Sequence, residues 1–467
     1  MGVFEWARLC RPMNDTPMND TEKDMTATLT DSGLAPSRGF SPAPHLRRAW
    51  DAAESHCNRC GFCLPVCPTY RLTGAESASP RGRLDLMYAA ADGKLELSDI
   101  APALGLCLGC LACQSACPSG VPFGELLEAG RIDVAGEKGP AGFTRFLLGT
   151  LLDSPAFLKL AARTLYFYQR SGLQKLLRLT QLLRLAPTLA RMERGLPPLP
   201  RPASWRGQIG PLPAASRSGG AKPALFFSGC VMDAVFGEVH RCTLVAMRHN
   251  GYTPAVPNGQ GCCGALALHS GAEALAKEKA RRNIAAFEAA GDPPVVVNSA
   301  GCGAAMKAYG GLLSGDSAWR GRAERFSARV VDVSELLTRE TIRPPEHAVP
   351  MRVAYDDPCH LAHAQNIRDQ PRMLLQAVPE LELVELPEAD WCCGSAGSYS
   401  LTHPKMAARV LERKMNHIAA AGVQAVATGN PGCLFQLALG AEQRGLAIRI
   451  VHPVQLLALA YTGREKA

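Results

Sequence analysis

The chain has 467 residues, more than one ordinary domain holds, and at roughly 100–200 residues per domain it divides into two to four. Its 47% hydrophobic and 20% charged residues exclude a wholly disordered chain, and no run approaches the ~18 uncharged apolar residues that span a bilayer. A net charge of +8 allows an anionic partner or membrane surface without requiring nucleic acid, and no nucleic-acid partner is expected.

Residues 1–40 are polar and aperiodic and read as a mobile tail, in which Cys10 has no expected role. The start, MGVFEWARLC, lacks an apolar h-region, so no secretory signal and a reducing, cytoplasmic compartment are expected. Residues 41–135 are helical in pattern and almost free of β-rich sequence. Ser79-Pro80 is a helix start, with Ser as N-cap and Pro at the first helical position, and the helix that follows breaks at Gly93. Residues 136–222 form a basic helical segment and a Pro-rich linker. From Arg145 to Arg206 there are 11 Lys/Arg against two acids, and Leu173, Leu176, Leu177, Leu182 and Leu183 recur at near-helical spacing. Such a basic apolar stretch can pack on its own domain or lie on an anionic membrane.

Residues 223–345 and 350–462 repeat one another. Cys230, Cys262-Cys263-Gly264 and Cys302 return as Cys359, Cys392-Cys393-Gly394 and Cys433, 129 to 131 residues further on. ALFFSGC answers RVAYDDPC, VVVNSAGC answers AVATGNPGC, and VVDVSELL answers RIVHPVQLL. The apolar runs read as short buried strands with Ala-rich helices between them, which predicts two tandem α/β units with parallel sheets. Their cysteines follow the C-terminal ends of strands, where such sheets place their sites.

The chemistry lies in the 18 cysteines. In a reducing compartment, clustered cysteines point to metal. Cys57, Cys60, Cys63, Cys67 and Pro68 form C-x2-C-x2-C-x3-C-P, and so do Cys107, Cys110, Cys113, Cys117 and Pro118. This is the bacterial iron–sulfur spacing, in which the fourth cysteine of each run ligates the other cluster. The pattern assigns Cys57, Cys60, Cys63 and Cys117 to one [4Fe-4S] cluster, and Cys107, Cys110, Cys113 and Cys67 to a second. Gly61, Gly109 and Ala112 are small enough to let backbone N–H groups approach the sulfurs. A zinc ribbon would pair two distant C-x2-4-C units instead. The fold expected is α + α/β: an α-helical ferredoxin domain with two cluster motifs, then the two Cys-Cys-Gly repeats.

Each repeat offers four thiols: Cys230, Cys262, Cys263 and Cys302, then Cys359, Cys392, Cys393 and Cys433. Adjacent cysteines point in different directions and suit one polynuclear centre better than one tetrahedral ion. The alternative, four small buried hydrophobes, does not explain why they recur in register. Gly264 and Gly394 are expected at φ > 0. Cys242 has no counterpart and reads as core. His360 and His363 read as turn and surface residues rather than ligands. There is no P-loop or Rossmann fingerprint, so a flavin belongs to a partner.

The first cysteine run, SPRGR, CLACQSACPSGV, DDPCHLAHAQ and WCCGSAGSYSLTHPKMA together resemble the iron–sulfur subunit of bacterial glycolate oxidase over roughly residues 45–460. That resemblance implies an electron-transfer subunit without a catalytic residue of its own. Flavin-binding hydroxy-acid dehydrogenase partners carry FAD and oxidise glycolate to glyoxylate. Electrons leave to an acceptor other than oxygen, such as a quinone, at the cytoplasmic face of the inner membrane. Subunits of D-lactate or glycerol-3-phosphate dehydrogenases, and a heterodisulfide-reductase-like thiol/disulfide enzyme, are the alternatives. In heterodisulfide reductases each unit ends in C-x2-C. Here Ala305 and Gln436 take the last position, so a five-cysteine centre is not expected and a four-cysteine cluster remains open.

Overall fold

The computed structural model describes residues 43–136, 153–180 and 222–463, with positions 149, 193, 196 and 198–201 between them. All belong to one unit, Ser41–Ala467. The 1–40 segment with Cys10, and Leu182 and Leu183, lie outside the described residues.

The first part is helical. Helices α1 (Pro44–Ala52), α2 (Pro80–Ala91), α3 (Leu97–Leu106) and α4 (Phe123–Ala135) pack Leu46, Met87, Ile100, Leu104, Leu126 and Leu127 into one core. Helix α2 starts as its sequence predicts: the Ser79 hydroxyl accepts from Gly82 N–H at 2.9 Å, and Pro80 needs no partner for a missing N–H. Gly93, at φ 70°, follows its end. The buried Asp133 carboxylate on α4 accepts from His45 N–H at 3.2 Å and Leu46 N–H at 2.8 Å. It thus meets the unpaired N–H groups that open α1. Helices α5 (Pro155–Arg170) and α6 (Leu173–Thr180) follow.

Two four-stranded parallel sheets complete the chain. The first contains β1 (Lys222–Phe227), β2 (Tyr252–Ala255), β3 (Val295–Val297) and β4 (Val330–Asp332), ordered β2-β1-β3-β4. The second contains β5 (Met351–Tyr355), β6 (Leu381–Val384), β7 (Ala425–Ala427) and β8 (Arg449–Val451), ordered β6-β5-β7-β8. Each crosses over through helices, notably α7 (Gly237–His249) and α8 (Glu273–Glu288) in the first and α9 (Pro404–Ala421) in the second, before α10 (Pro453–Thr462) closes the chain. Strands alternate faces, so both sides of each sheet must be covered. Ala224 and Phe226 face one way and share a single core with Val353, Tyr355, Ala425 and Ala427 of the other sheet. Leu225 and Phe227 face the other way, onto Ile284 and Phe287 of α8. Cys242 is 7% exposed in the shared core, and burial pushes its thiol up to about 12.

The repeats are also tied by polar bonds. Ala300 N–H donates to Gly429 O at 3.0 Å, and Asn430 Oδ1 accepts from Gly301 N–H at 3.1 Å. His452 caps α10 by accepting from Val454 N–H at Nδ1 (3.2 Å), which leaves Nε2 to donate to Asn298 O at 3.2 Å. Accepting at Nδ1 requires the neutral ring, and burial holds its pKa down at about 3.

Candidate metal centres

The two cysteine runs wrap matching loops. Positions two and four residues after the first cysteine lie at positive φ in both: Arg59 (59°) and Gly61 (85°), then Gly109 (64°) and Leu111 (63°). This curls the backbone so that amides point at sulfur. Arg59 N–H reaches Cys57 Sγ, and Gly109 N–H reaches Cys107 Sγ, each at 3.4 Å. Only one position of each pair is glycine; Arg59 and Leu111 hold the left-handed region at a cost of about 1 kcal/mol each.

The loops line two adjoining cavities. One is ringed by Cys57, Cys60, Cys63 and Cys117, with Cys113 on its wall. The other is ringed by Cys67, Cys107, Cys110 and Cys113. Each cavity therefore takes three thiols from one run and the fourth from the other, the exchange the spacing predicts. Among the described residues no three His, Cys, Asp or Glu side chains close on the point of a single metal ion. The thiols instead stand around shared spaces, four to a space, the arrangement a polynuclear group would use. Burial pushes the Cys110 and Cys113 thiols well above their usual range, so they ionise only beside strong positive charge, which iron supplies.

The second cavity has a feature that the sequence did not mark. Arg83 of α2 is 1% exposed and lines it. Its guanidinium donates to Ala103 O (2.8 Å) and Thr69 Oγ1 (3.0 Å) and lies 4.0 Å from Cys67 Sγ. Among the described residues no carboxylate pairs with it. A buried cation without an anion costs several kcal/mol. An anionic cluster in this cavity would supply the missing charge, so the residues present fit the group.

The eight cysteines of the two repeats line one larger cleft of about 660 Å³ between the repeats and the helical part. Within each repeat they form one chain of contacts. Cys230 meets Cys262 and Cys263 meets Cys302; Cys359 meets Cys392, and Cys393 Sγ lies 3.4 Å from Cys433 Sγ. Cys262 also meets Cys263, and Cys392 meets Cys393, so the adjacent thiols stay in contact rather than pointing apart. Gly264 (φ 85°) and Gly394 (φ 88°) make the turn and press on the following helix.

A buried cation lies behind each quartet, reached by different routes. In the second repeat Lys414 (0% exposed) pairs with Asp356 (1% exposed) at 2.7 Å and donates to Ala389 O at 2.7 Å. Burial pushes Asp356 up to about 6, against the opposing pull of Lys414. In the first repeat Lys279 lies 2.5 Å from Asp153, which belongs to the segment before α5, and Arg282 bonds the same carboxylate at 2.9 Å.

The helical part meets the second repeat at its cysteines. Cys110, Leu108, Cys359, Cys392, Trp391 and Tyr399 form one cluster, and Tyr399 donates to Leu106 O at 2.9 Å. His360 and His363 depart from the turn-and-surface expectation. His360 lines the cleft beside Cys359 and stacks on His269 at 5.6 Å. The His363 side chain is 3% exposed, and its Nδ1 lies 3.1 Å from Ser115 Oγ. Both are buried by an approach of distant segments, which no local pattern encodes. Ala305 and Gln436, at the positions of the absent fifth cysteines, pack into the protein.

Comparisons with known proteins agree with this architecture. Residues 54–121 match the 4Fe-4S dicluster domain, 140–196 the linker region of the glycolate oxidase iron–sulfur subunit, and 224–307 and 353–438 the cysteine-rich domain. The chain is 40% identical over 86% of its length to the probable glycolate oxidase iron–sulfur subunit of Bacillus subtilis (strain 168), covering 93% of that protein. It is 31% identical over 83% of its length to the glycolate oxidase iron–sulfur subunit of Escherichia coli (strain K12), covering 90% of it. It is 30% identical over 50% of its length to lactate utilization protein A of Geobacillus kaustophilus (strain HTA426), covering 98% of it. With two interlocked cysteine runs and two Cys-Cys-Gly repeats, the chain belongs to the family of glycolate oxidase iron–sulfur subunits.

Proposed function

We propose that this chain carries electrons for a flavin-dependent glycolate dehydrogenase, in which partner subunits holding FAD oxidise glycolate to glyoxylate. Bound [4Fe-4S] clusters supply one-electron redox chemistry. The chain's residues hold them in sequence. Cys57, Cys60, Cys63 and Cys117 form the outer site, with Cys60 exposed and Phe62 66% exposed beside it. Cys67, Cys107, Cys110 and Cys113 form the inner site. Cys359, Cys392, Cys393 and Cys433, packed against Cys110, hold a further centre, and Cys230, Cys262, Cys263 and Cys302 face it across the cleft. The observation that carries this reading is the exchange of fourth cysteines between two adjoining cavities, which supports two redox groups held side by side. The acceptor is a molecule other than oxygen, of which a quinone is the candidate. In this reading substrate oxidation is assigned to the partners.

The anaerobically purified chain should show an iron–sulfur spectrum and no glycolate oxidation. Adding the flavoprotein partners should restore glycolate-dependent reduction of an artificial acceptor. Turnover of glycolate by the chain alone would refute the assignment.

Membrane contact has its own support. No helix among the described residues is long and apolar enough to cross a membrane. Yet α5 and α6 expose Leu160 (64%), Phe167 (72%), Leu176 (55%) and Leu179 (81%), next to exposed Arg163, Arg170 and Lys175. We infer that this face rests on an anionic bilayer. The chain should sediment with anionic but not neutral vesicles, and Leu160→Asp with Phe167→Asp should abolish this. Equal sedimentation of the double variant would exclude it.

A further inference from the structure

We propose that Arg83 is a positioning residue that keeps the inner cluster reducible, offsetting the penalty its burial imposes; the inference rests on the inner-site reading above. The two cavities differ in what surrounds them. Around the outer one, Arg59 and Arg81 are the nearby cations. Arg59 pairs with Asp85 at 3.0 Å and Arg81 with Glu76 at 2.6 Å, both near solvent. Charges so placed and so paired act weakly.

The inner cavity lies in the protein interior. Cys67, Cys107 and Cys113 are buried there, and Leu108, Leu111 and Phe123 form apolar wall. A cluster that gains an electron gains negative charge, and an apolar surrounding penalises that charge. Burial alone would therefore lower the inner potential and make the step from the outer site uphill.

Arg83 opposes this. Among the described residues lining that cavity it is the one bearing a full positive charge, and its charge does not titrate in proteins; Arg131, which donates to Cys107 O at 2.6 Å, lines the neighbouring cleft instead. Two bonds, to Ala103 O and Thr69 Oγ1, hold the guanidinium against Cys67 Sγ. Because no carboxylate among the described residues pairs with it, its field acts on the cavity undiminished. Lys414, by contrast, is paired with Asp356 at 2.7 Å. In a low-dielectric interior such a charge favours the reduced cluster and raises its potential.

The test is an anaerobic redox titration of the reconstituted full chain, followed by electron paramagnetic resonance, with iron and sulfide counted for every variant. Cys57→Ser in the same background isolates the inner signal. Arg83→Gln should move the inner signal to lower potential and leave the outer one in place, whereas Arg83→Lys should stay near the parent. If Arg83→Gln alone loses the inner iron while Arg83→Lys keeps it, the positive charge holds the group rather than setting its potential, and the proposal falls. If Arg83→Gln keeps its iron and titrates as the parent does, the proposal falls. It also falls if Arg83→Lys behaves as badly as Arg83→Gln, because the role is then in bonding rather than charge. If Cys57→Ser or Cys107→Ser releases no iron, it is the cluster reading itself that fails.

Discussion

A Cys107→Ser chain should lose about four irons with their sulfide. When it is assembled with the flavoprotein partners, glycolate should still bleach their flavins while reduction of the acceptor falls to background. The reason is structural. Cys107 is buried, its sulfur receives the Gly109 amide at 3.4 Å, and it stands on both the inner cavity and the cleft. A serine oxygen is a harder and less readily ionised ligand than thiolate, so it replaces the sulfur poorly at an iron–sulfur centre. Parallel measurement of flavin bleaching and acceptor reduction separates a broken conduit from a broken assembly. Full turnover by the Cys107→Ser complex would mean that the inner site is not on the route.

Gly394→Ala should destabilise the fold severely. Gly394 lies at φ 88°, and a Cβ there would stand 2.6 Å from the backbone oxygen of Ala407. The left-handed backbone costs about 1–2 kcal/mol for any residue with a Cβ. The contact cannot relax by turning a side chain, because the atom struck belongs to the backbone of α9. Together these should cost about 3 kcal/mol or more, in the range of severe core changes. Denaturant unfolding of the chain reads this directly. Gly74→Ala is the control: it also has positive φ, 69°, but its Cβ would meet nothing within 4 Å. It should cost about 1 kcal/mol. Equal losses at the two positions would show that φ strain, not the approach to α9, decides the effect.

Much of this architecture is legible in the sequence because the constraints are local. Cysteine spacing determines which thiols can reach one cube. Ser79-Pro80 announces a helix start through the needs of its own backbone. The apolar runs at Leu225–Phe227, Val295–Val297 and Val353–Tyr355 are continuous because both faces of a parallel strand are covered. The edge strands β2 and β6 were not legible. YTPA carries a proline and LELV alternates with acids, as befits edges that are only partly covered. Arg83 sits in SPRGR as an ordinary helical arginine, and only the assembled cavity shows it to be buried without a counter-ion. His360, Lys414 and Asp356 were hidden for the same reason: their burial depends on segments far apart in the chain meeting at the cleft. The ligand sets could be read from short-range pattern, but the charges that surround them could not.

The single core shared by the two sheets has a consequence for folding. Phe226 and Val353, in different repeats, close the same apolar interior, and His452 of one repeat reaches Asn298 of the other. Neither half has an autonomous hydrophobic interior on that side. The tandem pair must therefore gain and lose order cooperatively, as one block, although its two members arose from the same pattern.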